Sequence, residues 1–150
     1  MGRLFVGYCS SIHLQKKQMM TVTTQWKQKL VFEAVQENAG AVTMDGQLQA
    51  GMSPKALLLA GLAGCSAVDV VEILEKMRVP FSGLNVVSAA DQTADHPRVF
   101  TDIDLFFTVT TDPVHEDKVR KAIDLSLEKY CGVAAMLRKN SAIHYRFECV

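Results

Sequence analysis

Residues 53–71 read SPKALLLAGLAGCSAVDVV, and they dictate how the rest of the chain must be arranged. Ser53 offers a capping hydroxyl, and Pro54 suits a first helical position, where an N–H would have no partner anyway. Helix-forming sequence continues to about Arg78, and Pro80 prevents it from going further. The first half is apolar on every face and contains Gly61, Ala63 and Gly64, small residues that permit close backbone approach. The second half carries Asp69, Glu72, Glu75, Lys76 and Arg78 and is polar on one side. This pattern predicts a long, central, buried helix. One chain of this size has difficulty surrounding it, so a second copy is expected to complete the cover.

On the N-terminal side of the helix, residues 21–36 (TVTTQWKQKLVFEAVQ) are rich in β-branched and aromatic residues, with a polar break near residues 27–29. That composition suits two strands and a turn. Residues 41–44 fit a third strand, ended by the turn signal Asp45-Gly46. On the C-terminal side, residues 84–90 and 98–110 read as strands. The second places Val99, Ile103, Leu105, Phe107 and Val109 on one face, with Asp102 and Asp104 on the other. Asp112-Pro113 repeats the cap-and-proline signal, and Glu116 and Asp117 favour the start of a helix that reaches about Lys129. A bend at Cys131-Gly132, a short helix over residues 133–140 and an alternating strand with Ile143, Tyr145, Phe147 and Cys149 on one face complete the chain. The order predicts an α+β domain in which antiparallel sheets pack on the long helix and a second helix pair.

With 150 residues, 49% of them hydrophobic, the chain suffices for one core. That core is expected over residues 19–150, behind a loosely ordered extension at residues 1–18 that ends before Met19-Met20. Sixteen basic and sixteen acidic residues leave no net field to attract nucleic acid or an anionic membrane. The longest uncharged stretch in this region, residues 56–68, is about half of what a membrane-spanning helix needs. The apolar run from Leu4 to Tyr8 is too short for a signal peptide. A reducing cytoplasm is the expected setting. The cysteines, at 9, 65, 131 and 149, lack zinc-site spacing, as do the histidines at 13, 96, 115 and 144, and no phosphate-binding or dinucleotide motif is present. Neither metal nor cofactor is expected.

Two thiols stand out. Cys131, at the bend before a new helix, is placed where unpaired amides stabilise a thiolate. Cys65 lies within the apolar helix, where a cysteine by itself reads as a small hydrophobe. Cys9 and Cys149 read as chemically silent.

The run SPKALLLAGLAGCSAVDVV, with cysteine eleven residues after proline, and the run DLSLEKYCGVAAML at residues 124–137 together resemble the OsmC/Ohr family. The resemblance extends from about Thr21 to the C-terminus. It implies an intertwined homodimer with central long helices and two sites at the interface. It also implies reduction of organic hydroperoxides, with Cys65 attacking, Cys131 resolving and a dithiol reductant resetting the pair. In Ohr-type members an arginine from the N-terminal sheet activates the first cysteine and is held by a glutamate directly after the proline. Here Lys55 occupies the glutamate position, and residues 21–50 contain no arginine. Lys55, Asp69 and Glu128 are therefore candidates for tuning the thiols, and Arg98 and Arg138 for supplying a replacement cation. The same substitution leaves a second function open, a non-catalytic dimer that binds a small hydrophobic ligand or senses redox state.

Overall fold

The alternation of β-branched and polar residues after Thr21 produces three strands, β1 (Val22–Gln28), β2 (Val31–Gln36) and β3 (Ala41–Asp45), joined as an antiparallel meander. They are seen in a computed structural model that describes residues 19–150. The expected extension, with Cys9 and His13, lies outside the described residues. Lys29, at positive φ, turns β1 into β2, and the Trp26 indole N–H donates to its carbonyl at 2.9 Å.

The turn after β3 works differently from the glycine turn anticipated. Gly46 does not adopt positive φ; Leu48 does. The buried Asp45 carboxylate organises the loop by accepting from the backbone N–H groups of Gln47 (2.8 Å), Gln49 (3.0 Å) and Ala50 (2.9 Å). These bonds, that from Gln47 foremost, hold its pKa below the usual value. The loop then folds back on β3, with Asp45 N–H donating to the Met52 carbonyl at 2.9 Å.

The long helix forms as α1 (Ala56–Lys76), with the Ser53 hydroxyl accepting from the Ala56 N–H at 3.2 Å. By length and apolarity it could cross a membrane, which the count of residues 56–68 understated. Within this chain it is buried on one stripe only. Leu62, Ser66, Val70 and Leu74, at intervals of four, are fully buried, whereas Leu58 is 49% and Val68 61% exposed. Gly61 and Gly64 face open space. The all-round burial expected of its first half is not supplied by one chain.

After α1 come β4 (Gly83–Gln92) and β5 (Phe100–Thr110), paired antiparallel. Ile103, Leu105, Phe107 and Val109 form the inner face as expected, but Val99 stays 47% exposed and Phe100 takes the core position. Opposite Ala90 to Gln92, β5 carries one extra residue between Phe100 and Ile103, a bulge that shifts the alternation there. A 3-10 turn (Pro113–His115), α2 (Glu116–Leu125), a π-helical turn (Ser126–Tyr130) and α3 (Gly132–Leu137) lead to β6 (Ala142–Cys149). β6 runs parallel to β5, so the second sheet is mixed, contrary to an all-antiparallel expectation. The physical reason is the helical crossover, which returns the chain to the same end of the sheet. β4, α2 and α3 pack on the buried stripe of α1, while the β1–β3 meander makes few contacts with that body.

Gly51 provides a test of the β3 loop. A Cβ there would lie 2.4 Å from the Thr43 carbonyl oxygen and 2.8 Å from its carbon, so backbone must move. Gly51→Ala is expected to destabilise by about 1–3 kcal/mol in urea unfolding, with faster amide exchange at Asp45.

Candidate functional site: a thiol pair and a carboxylate

Cys65 and Asp69 stand four residues apart on α1 and so share a face. The crossover brings Cys131 to that face. The two sulfurs and a carboxylate oxygen of Asp69 all lie within 4.8 Å of one another. A disulfide needs a sulfur separation of about 2.05 Å, so the pair is near bonding range without being joined; both thiols are free.

Ser126 sets this arrangement. Fully buried, its hydroxyl faces both the Ser66 carbonyl (3.2 Å) and Asp69 Oδ2 (3.0 Å) on α1. Its own carbonyl accepts the Cys131 N–H at 2.8 Å, the wide i to i+5 bond of the π-helical turn. One residue thus holds the carboxylate and the second cysteine together. Cys131 then leaves helical geometry (φ −68°, ψ 103°) and caps α3, its sulfur accepting from the Ala134 N–H at 3.4 Å.

The expected thiolate-stabilising helix end is present, but burial outweighs it. Cys131 is 3% exposed, and desolvation, followed by its hydrogen bond with Cys65, pushes its pKa from 9.0 up to about 11 against the opposing N–H groups of Ala134 and Val133. No positively charged side chain figures among these influences.

The other candidates lie elsewhere. The Lys55 ammonium donates to Gln92 Oε1 (2.7 Å) and the Arg98 carbonyl (2.6 Å) and sits 5.7 Å from the centre of the Phe100 ring, which ties the start of α1 to the β4–β5 loop. Arg138 donates to the Leu127 carbonyl at 3.0 Å. Glu128 is exposed, and its charge is felt at Tyr145. Of the tuning candidates, the structure brings Asp69 alone to the thiols. Ser126 and Ser66 were not anticipated. The sequence around Ser126, a serine between Leu125 and Leu127 with acids on either side, gives no local signal that sets it apart.

Residues 44–146 match the family model described as OsmC-like protein. The chain belongs to the OsmC-like family. It is 36% identical over 132 residues to Protein YhfA of Escherichia coli strain K12, an alignment covering 87% of this chain and 98% of that protein. Among solved structures, an OsmC-like protein from Mycoplasma pneumoniae is similar with a TM-score of 0.77 at 17% identity, covering 89% of this chain and 99% of that one. The organic hydroperoxide resistance protein OhrB of Bacillus subtilis superposes with a TM-score of 0.60 at 15% identity, covering 87% and 98%. At such identities these last two report the shared fold. The OsmC-like assignment matches the resemblance carried by the two cysteine runs.

Two outcomes test the geometry. Ser126→Ala removes the one hydroxyl hydrogen that the crossover offers to the Asp69 carboxylate and the Ser66 carbonyl and is expected to cost about 1–3 kcal/mol in urea unfolding. Because folding raises the Cys131 pKa, the protonated thiol contributes stability below pH 9.0 that is lost as pH rises toward about 11. The urea midpoint should fall across that window, less steeply in Cys131→Ser, and Cys131 should resist iodoacetamide at neutral pH.

Proposed function

We propose that this protein reduces organic hydroperoxides in the cytoplasm as a homodimer, with Cys65 as attacking thiol and Cys131 as resolving thiol. The observation that carries this reading is the apposition of the two sulfurs across α1 and the crossover, beside a fixed carboxylate. The Cys65 thiolate attacks the distal peroxide oxygen; the O–O bond breaks, the alkoxide leaves and is protonated to the alcohol, and Cys65 becomes a sulfenic acid. Cys131 attacks that sulfur, its proton passing by way of Asp69 to the departing hydroxide, which leaves as water, and a disulfide forms. An external dithiol returns two electrons and two protons. The high Cys131 pKa suits the division of labour: this thiol remains protonated until a sulfenic acid is beside it.

The apolar stripe of Leu58, Gly61, Gly64 and Val68 supports the homodimer, since its small residues let a second α1 approach closely. A non-catalytic reading draws support from a cavity of about 320 Å³ lined by Asp69, Glu72, Ile73, Lys76, Leu125 and Tyr130, large enough for a small ligand next to the Asp69 carboxylate.

The test is the rate of thiol loss at pH 7 when reduced protein meets cumene hydroperoxide or hydrogen peroxide, with mass spectrometry locating the products. A rapid Cys65 to Cys131 disulfide is expected, abolished by Cys65→Ser and halted at sulfenic acid in Cys131→Ser. Asp69→Asn should slow disulfide closure by about 10²-fold if the carboxylate acts as general base. Thiols that react no faster than free cysteine would overturn the peroxidase reading in favour of ligand binding.

A further inference from the structure

We propose that the reduced Cys65–Asp69–Cys131 trio is a binding site for one thiophilic divalent cation, Zn²⁺ in the first instance. The donor set and its spacing carry the inference. Two sulfurs and a carboxylate oxygen converge within 4.8 Å. A tetrahedral zinc with Zn–S of about 2.3 Å sets its sulfurs roughly 3.8 Å apart, so side-chain adjustments of about 1 Å would close the site. Two thiolates select zinc over magnesium or calcium, which prefer all-oxygen shells.

The surroundings also resemble those of a metal site. The Ser126 hydroxyl fixes Asp69 Oδ2 at 3.0 Å, leaving the other carboxylate oxygen available, and the Ala134 N–H fixes the Cys131 sulfur at 3.4 Å. Such outer partners orient ligands and sharpen affinity. Asp69 also lines a cavity of about 320 Å³, which gives water access to the carboxylate side of the trio. The sequence concealed this set because its members are four and then sixty-two residues apart along the chain, with no short ligand spacing.

The balance is simple: Zn²⁺ replaces two thiol protons, which leave to solvent, and no electrons move. Two thiolates, one carboxylate and the cation carry a net charge of −1. Metal binding and disulfide formation exclude each other, because both consume the sulfur lone pairs and charge. Bound zinc would shield the thiols from oxidation, and oxidation would release the zinc.

The experiment is anaerobic titration of the reduced, full-length protein with Co²⁺, followed by displacement with Zn²⁺. We expect one cobalt per chain, a near-ultraviolet sulfur-to-cobalt charge-transfer band and the intense visible bands of tetrahedral cobalt, all removed by Zn²⁺. Cys65→Ser and Cys131→Ser should each diminish the charge-transfer band and weaken binding, while Ser126→Ala weakens affinity by about 10–100-fold. Circular dichroism verifies that each variant is folded. A wild-type spectrum without sulfur charge transfer, an octahedral cobalt spectrum, or binding unaffected in folded cysteine variants would overturn the proposal. The readout is independent of peroxide turnover: a protein inert to hydroperoxide that shows the cobalt spectrum retains the metal site, and a peroxidase without that spectrum lacks it.

Discussion

A single buried hydroxyl connects the two halves of the site. Ser126 lies against a backbone carbonyl and a carboxylate on α1, and its own carbonyl receives the N–H of Cys131. Without it, Asp69 would be a charge partly withdrawn from water with no donor from the crossover, a costly arrangement beside apolar Leu62, Val70 and Leu74. The π-helical turn follows from the same requirement. An ordinary α-helical continuation would rotate Cys131 away from α1, whereas one wide turn lets the Ser126 hydroxyl and the Cys131 sulfur address the same helix face.

Much of the fold was legible because its signals are local. Ser53 and Asp112 announced their helical segments, and the alternation from Ile103 to Val109 and from Ile143 to Cys149 announced two inner faces. The errors arose where a distant partner decided the outcome. Val99 matched the alternation but lost its place to Phe100, because β5 carries one extra residue between Phe100 and Ile103, which only its pairing with Ala90 and Gln92 of β4 reveals. The direction of β6 depends on which end of β5 the crossover reaches. The role of Asp45 depends on three amides that follow it and on the closeness of Gly51 to Thr43, which composition does not encode.

The site was legible to the same extent. Each cysteine could be picked out from its immediate context, and the family resemblance joined them. Their common neighbour could not be found that way, since a serine between two leucines is unremarkable until the helix opposite is known. Lys55 illustrates the converse. Its position in the motif pointed to the thiols, yet a long side chain takes the nearest good acceptors, here Gln92 Oε1 and the Arg98 carbonyl.

The parallel pairing of β5 with β6 bears on how the molecule is made. Synthesis runs from the N-terminus, so Cys65 leaves the ribosome 66 residues ahead of Cys131 and meets the cell without that thiol, on an uncovered apolar helix. The segment that delivers its partner is pinned at its far end by the last strand of the fold. Pairing of the thiols is therefore a late event in biogenesis, and an unfinished chain carries Cys65 before the sulfur that the fold sets beside it exists.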